Sequence, residues 1–163
     1  MRPLKLMTSD LNGIIIQRIR LEDAAWKRQF KAFYSDCPAL RRGRERSHAY
    51  FAAFSGDTLV AHSEIYREDD KWILDGLRVK TEFRERGIAK ALTRARILYA
   101  AENGAKEIWY NCHDDNLMTT CCHISLGFIK VCPVRHNCTP ATAHWYKLKV
   151  TKALISGLCE NRP

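Results

Sequence analysis

The stretch FRERGIAKALTRARI, residues 83–97, decides how this chain is read. Ile88, Ala91, Leu92, Ala95 and Leu98 recur at steps of three and four, the spacing of an amphipathic helix. Arg84, Arg86, Lys90, Arg94 and Arg96 ring it with positive charge, and Gly87 stands where the helix begins. The preceding WILDGLRVK (72–80) reads as a strand. A strand that passes through a glycine-centred turn into a helix aims several main-chain N–H groups at one place. Those first N–H groups lack internal acceptors, and the helix dipole adds partial positive charge. Such a turn suits an anion, phosphate above all. Gly87 removes the side chain that would hold a phosphate off the backbone, and Ala89 keeps the helix start small. One glycine is a weak signal, and a plain solvated helix start fits the same residues. Neither G-x-x-x-x-G-K-[ST] nor G-x-G-x-x-G occurs, so nucleotide-hydrolase and dinucleotide-binding readings lose support.

Outward from this stretch the chain alternates strands and helices. IIIQRIR (14–20) predicts a strand and LEDAAWKRQFKAFY (21–34) a helix closed by Pro38. AYFAAF (49–54) and TLVAHSEIY (58–66) predict two strands joined at Gly56 and Asp57. EIWYNCH (107–113) predicts a buried strand, and NLMTTCCHISLGF (116–128) a short helix ending at Gly127. FIKVCPVRH (128–136) and AHWYKLKV (143–150) predict two closing strands. The result is an α/β fold: one mixed sheet, helices on both faces, and a parallel pairing where the 88–103 helix crosses between strands. Residues 1–11 and 157–163 read as polar ends around a single domain spanning 1–163 with its core at about 14–150.

The chain has 163 residues, 46% hydrophobic and 28% charged, the make-up of a soluble globular domain. Lys plus Arg number 27 against 18 Asp plus Glu, a net charge of +9 that attracts anions. Seven cysteines, an odd number, and the lack of a signal-peptide core predict a reduced cytoplasmic protein with free thiols. No apolar run approaches the roughly 20 residues that span a bilayer, so no membrane association is expected.

Arg84-Glu85-Arg86-Gly87-Ile88-Ala89 resembles the R/Q-x-x-G-x-G/A signature of the GNAT acetyltransferases. LDGLRVKTEF (74–83) resembles their fourth strand, with Lys80 where proline is common. The 116–128 stretch resembles their second motif, N-x-x-A-x-x-x-Y-x-x-x-G-F, matched at Asn116, Gly127 and Phe128. Thr119 stands for the motif's alanine and His123 for its tyrosine. The element order agrees from Ile14 to Val150. The resemblance implies the GNAT fold, a central and mostly antiparallel sheet with a splayed parallel strand pair. It implies acetyl-CoA or another acyl-CoA as co-substrate. The pyrophosphate would rest on amides of Arg86, Gly87, Ile88, Ala89 and Lys90 beside Arg84. The pantetheine arm would pair with the backbone of the Leu77–Arg78–Val79 segment, with Asn116 nearby and Phe128 walling the site.

Acyl transfer to an amine needs a base, because an alkylammonium of pKa near 10.4 is about 0.1% nucleophilic at neutral pH. It needs donors for the developing oxyanion, expected from a backbone N–H in the 77–79 region. An acid assists the departing sulfur. In the family this is the motif tyrosine. Here His123 takes its place, with Tyr146 on the last strand as the alternative and simple packing as the third reading of His123. The base candidates are Asp75, placed by strand alternation on one face with Leu77 and Val79, and Glu64, which shares a face with His62. Structural or substrate-anchoring roles suit the same carboxylates. His113, Asp114 and Asp115 lie where substrate loops sit in this fold. The cysteine and histidine spacings make no metal site, and no cysteine is marked as a nucleophile.

The expectation is a direct N-acyl transfer, in a ternary complex, to a primary amine of a small molecule or peptide. An RNA-bound acceptor, as in an aminoacyl-tRNA acetylating toxin, rests on charge alone, chiefly Arg41, Arg42, Arg44 and Arg46. A CoA-binding protein without catalysis is the reading from another class, and the missing motif tyrosine is its best support. A homodimer is left open.

Overall fold

The computed structural model of the protein describes residues 11, 13–20, 24–35, 48–131 and 143–160. Seven strands and four helices alternate among them: β1 (Ile14–Ile19), α1 (Ala24–Phe33), β2 (Ala49–Ser55), β3 (Thr58–Glu68), β4 (Lys71–Val79), α2 (Ile88–Glu102), β5 (Glu107–His113), α3 (Leu117–Ile124), β6 (Ile129–Val131), β7 (Ala143–Lys149) and α4 (Lys152–Glu160). One sheet runs in the order β1-β2-β3-β4-β5-β7-β6. Every pairing is antiparallel except β4 with β5. That exception follows from the crossover through α2, as the 88–103 periodicity predicts.

The cross-strand register sorts side chains to two faces. Ile14, Ile16, Ala49, Phe51, Ala53, Ala61, Ile65, Trp72 and Leu74 pack with α2, on the face that also buries Ile108, Tyr110, Phe128 and Tyr146. Ile19, Tyr50, Ala52, Phe54 and Leu59 face Phe33 of α1. Ile65, Leu92, Ile97 and Ile108 are fully buried, and each such side chain contributes about 1.5–3 kcal/mol of burial energy.

Four expectations are corrected. The 152–160 segment is the helix α4, with Leu158 buried, where a polar end is expected from 157 on. Its apolar residues Leu154, Ile155 and Leu158 recur at helical spacing, and that signal outweighs the terminal position. Leu11 is part of the packing and not of a loose end: it packs against the core, and its carbonyl accepts from Ile14 N at 3.2 Å. β5 is buried only at alternate residues, Ile108, Tyr110 and Cys112.

The fourth correction concerns the faces of β4. The register slips between the pairs His62↔Arg78 and Glu64↔Asp75, so β4 carries one extra residue opposite Ser63. Gly76 supplies the left-handed conformation this bulge requires, at φ 59°. Alternation therefore breaks. Val79 pairs with Ala61 on the α2 face, whereas Asp75 pairs with Glu64, itself opposite Tyr50, on the α1 face. Asp75 and Val79 lie on opposite faces.

Candidate active site

The parallel pairing of β4 with β5 is confined to Trp72↔Ile108 and Ile73↔Trp109. Beyond Ile73 the two strands are no longer paired with each other, β4 following β3 to Val79 and β5 following β7 to His113, which is the splay the resemblance implies. Lys80 N donates to Val60 O at 2.9 Å, so Lys80 turns its main chain toward β3. By alternation Leu77 and Val79 turn theirs into the gap. Arg84 reaches back and donates from Nε to Val79 O at 3.2 Å.

The turn into α2 is tightly wound. Glu85 at φ 62° and Gly87 at φ 76° both take the left-handed region. A non-glycine residue there is strained, and such a winding of successive amides is the geometry that suits an anion. The first helical bond runs from Ala91 N to Gly87 O at 3.0 Å, so the helix itself supplies no acceptor for the N–H groups of Ile88, Ala89 and Lys90. A Cβ placed on Gly87 would meet only Leu11 Cδ2, at 3.6 Å. The glycine is therefore required for backbone conformation, not for contacts within the chain. The Arg86 guanidinium lies over the Phe83 ring at 5.2 Å.

Below the bulge, the fully buried Arg96 of α2 donates from Nη1 to Glu64 O at 3.0 Å and to Asp75 O at 3.1 Å. Its Nη2 donates to Thr93 Oγ1 at 2.8 Å. One guanidinium thus ties both strands of the bulge to the helix. The Arg96 side chain was legible only as part of a basic helix. Its buried guanidinium is satisfied by these two carbonyls beside the bulge.

On the α1 face Glu64 is only 5% exposed, and its side chain packs over Gly76, whose Cβ would come within 3.2 Å of Glu64 Cγ. Burial, and then the charge of Asp75, raise the Glu64 carboxyl to about 7; Arg96 opposes them less strongly. Asp75 is exposed, and its Oδ1 accepts from Gly76 N at 2.7 Å. Beside them His62 is fully buried, and burial pushes its imidazole down to about 3. Tyr34 Oη and His62 Nδ1 share a hydrogen bond at 2.7 Å, so the end of α1 closes over the bulge. Tyr34 and Arg96 are the residues that sequence reasoning misses, because each reaches the site from a distant element. Arg78 shares this face, its guanidinium 5.4 Å from the Phe33 and Tyr34 rings.

On the α2 face His123 is 2% exposed and stacks on Tyr110 at 4.0 Å, which in turn stacks on Tyr146 at 4.7 Å. Its Nδ1 lies 2.8 Å from Thr119 O, a carbonyl that accepts only, so the ring proton sits on Nδ1. Burial, with Arg96 adding to it, lowers His123 to about 3. Nε2 is buried and meets no hydrogen-bond partner among the described residues. Tyr146 is equally buried. Asn116 caps α3, its Oδ1 accepting from Thr119 N at 3.2 Å. Asp114 accepts from Lys130 Nζ at 2.9 Å and lies 3.3 Å from His144 Nε2, which fastens the turn after β5 to β6 and β7. His113, the last residue of β5, and Asp115 on that turn are both exposed. The basic stretch 41–46 lies outside the described residues.

Among the described residues four cysteines are free thiols, no group of His, Cys, Asp and Glu could hold a metal, and no helix is long and apolar enough to cross a membrane.

A splayed parallel pair, a bulge at its parting point and a glycine-wound helix entry can now be compared with known proteins. The family model of the acetyltransferase (GNAT) family matches residues 16–128. The chain belongs to the GNAT acetyltransferase family. Acyltransferase activity is the general property of that family. Solved structures agree on the fold. IAA acetyltransferase from Bacillus cereus superposes with a TM-score of 0.66 at 11% identity, covering 84% of this chain and 99% of that one. The ribosomal-protein-S18-alanine N-acetyltransferase from Escherichia coli gives 0.63 at 18% identity, covering 85% and 94%. PaiA N-acetyltransferase from Thermoplasma acidophilum, crystallised with coenzyme A, gives 0.61 at 16% identity, covering 84% and 99%. At such identities the likeness carries the fold alone. No curated protein sequence matches the chain significantly.

Proposed function

We propose that this GNAT protein transfers an acetyl group from acetyl-CoA directly to a primary amine, with Glu64 as the general base. One observation carries the reading: the Glu64 carboxyl is buried beside the Gly76 bulge, across from Asp75, just past the point where β4 leaves β5, and burial there pushes it up to about 7. A base works best when its pKa matches the working pH, and few carboxylates do.

The residues fit the co-substrate. The amides that open α2 and the conformation of Gly87 suit the pyrophosphate, and the gap-facing main chain of Leu77 and Val79 suits the amide-bearing arm. Arg84 and Lys90 add charge beside it. Arg84 already holds Val79 O, so it serves the site partly by stiffening that edge. The orphaned Nε2 of His123 is an acceptor that a bound donor would satisfy. When bound, acetyl-CoA supplies the activated acyl carbon.

The chain's own residues do the rest. Glu64 takes the amine's proton. The N–H of Leu77, turned into the gap, stabilises negative charge on the acyl oxygen. Asp75 fixes the bulge through Gly76 N, and Arg96 fixes it from the other side. Neither His123 nor Tyr146 is assigned a proton transfer. The His123 proton is already given to Thr119 O, and at neutral pH the ring holds no second one. A thiol's pKa of about 8.5 lies below the amine's of about 10.4, so sulfur leaves without a dedicated acid.

The test is to incubate the protein with acetyl-CoA and amines and to follow thiol release. Amine-dependent release, lost in Glu64→Gln, is expected. Tight coenzyme A binding without any release would leave a binding protein instead.

A further inference from the structure

Arg96 is fully buried between α2 and the sheet, and burial lowers its guanidinium to about 10, so it stays charged at neutral pH. It touches no carboxylate among the described residues. Nη1 donates to the main-chain carbonyls of Glu64 and Asp75, at 3.0 and 3.1 Å, Nη2 to Thr93 Oγ1 at 2.8 Å, and Nε to Leu92 O at 3.4 Å. Cys122 is near, but burial holds its thiol above its usual value, so it brings no anion. A buried cation without an anion beside it is costly. Where stability is the sole requirement, an apolar side chain of similar size does as well or better.

The contacts of this cation lead to the site. Both carbonyls belong to the bulge just past the point where β4 leaves β5, and one is the main chain of Glu64 itself. Thr93 Oγ1 accepts from Arg96 and donates to Ala89 O at 2.9 Å, in the first turn of α2. A chain of hydrogen bonds thus runs from the helix entry through Thr93 and Arg96 to Glu64 and Asp75. The charge is felt on both faces of the sheet. Burial and Asp75 raise Glu64, and the Arg96 charge opposes them. Burial lowers His62 and His123, and the Arg96 charge adds to it.

We propose that Arg96 is a positioning residue for acetyl transfer: through the carbonyls of Glu64 and Asp75 it holds the bulge in place against α2, and its unmatched charge biases Glu64 toward the ionised form. This rests on the acetyl-transfer reading above. The other charged and titratable groups around Glu64 are Asp75 across from it, Tyr66 and His62 on its own strand, His48 stacked on Tyr66, and Arg78 and Tyr34 toward α1. They are unchanged by a substitution at position 96, so differences between variants report Arg96.

The experiment titrates Glu64 directly in the full chain, by the carboxyl carbon NMR signal that Glu64→Gln removes. In parallel it measures thiol release with acetyl-CoA and butylamine, and coenzyme A binding by calorimetry. Arg96→Gln removes the charge and leaves an amide to donate to a carbonyl. Glu64 should then hold its proton about tenfold more tightly, and the rising limb of kcat/KM should move to higher pH with it. Arg96→Lys keeps the charge, but one ammonium cannot reproduce the guanidinium fork. It should leave the Glu64 titration near native and lower kcat about 10- to 100-fold by misplacing the bulge. Thr93→Val is the mildest change. It cuts the tie to Ala89, keeps both carbonyl bonds, and should lower kcat severalfold with the Glu64 titration unmoved. Coenzyme A affinity should stay near native in all three.

A merely structural Arg96 would lower the melting temperature and leave the Glu64 titration where it is. An unmoved titration in folded Arg96→Gln therefore overturns the proposal. Should the variants at position 96 fail to fold, Thr93→Val decides, and native kcat in it overturns the proposal. No thiol release with butylamine or any other amine, in a native protein that binds coenzyme A, overturns the acetyl-transfer reading, while the Glu64 titration still decides whether Arg96 governs that carboxyl.

Discussion

Glu64 and His123 sit on opposite faces of one sheet and are buried to nearly the same degree, 5% and 2% exposed. The same loss of water sends them in opposite functional directions. Burial disfavours whichever form is charged. For the carboxyl this raises the pKa to about 7, into the range where a base is useful. For the imidazole it lowers the pKa to about 3, out of the range where an acid is useful. In the proposed reaction the residue that looks like the physiological proton carrier only packs, and the residue that looks like an ordinary carboxylate carries the proton. Residue type alone ranks these two the other way round from the proposed reaction.

The most direct way to break this contrast is Glu64→Gln. The change keeps shape and removes the titration. General-base catalysis is typically worth about 10²–10⁴-fold, so kcat/KM for an alkylamine should fall by that amount. In the native protein kcat/KM should rise with pH through about 7 as Glu64 loses its proton, and this limb should vanish in the variant. A variant that keeps the limb would place the base elsewhere.

Gly87→Val tests the other half of the site. A β-branched residue at φ 76° is strained, and its side chain would stand over the α2 amides. Losing two hydrogen bonds to a charged group, at about 1.5 kcal/mol or more each, predicts coenzyme A binding weaker by about 100-fold or more in calorimetry. The melting temperature should fall by several degrees from the backbone strain alone, since a new Cβ meets only Leu11 Cδ2 at an ordinary 3.6 Å, so binding is measured well below the variant's melting temperature. An unchanged affinity would move the pyrophosphate away from this turn.

The proposed cofactor half of this site is legible in the sequence, and the proposed base half is not, for a physical reason. The α2 entry is local: Gly87 and the amides after it are neighbours in the chain, so periodicity and a single glycine reveal them. The base site is assembled across strands, by a bulge that shifts the pairing of β4 by one residue. Strand alternation predicts that Asp75 shares a face with Leu77 and Val79, and one glycine at φ 59° reverses it. Gly76 between Asp75 and Leu77 was the available signal, since glycine inside a strand marks a bulge or a close approach. Arg96 and Tyr34 had no such signal. Their roles depend on carbonyls and rings that only the folded sheet brings within reach.

The finest test compares the two residues through stability. His123 has a folded pKa below its ordinary 6.5, so the fold holds fewer protons there than the unfolded chain does. That contribution is present above about 6.5 and is lost as pH falls toward about 3. Glu64 has a folded pKa above its ordinary 4.5, so the fold holds more protons there, and stability is lost as pH rises from about 4.5 to about 7. Between about 4.5 and 6.5 the two act against each other, each at about 1.4 kcal/mol per pH unit per proton. Urea unfolding at pH 5 and pH 6 should therefore show a steeper gain in stability with pH in Glu64→Gln than in the native protein. His123→Phe, which retains a ring against Tyr110, should show a shallower one, while its activity keeps the limb near pH 7. Equal slopes in all three proteins would mean that neither group is held in its neutral form by the fold. A lost limb in His123→Phe would return the proton to the α2 face.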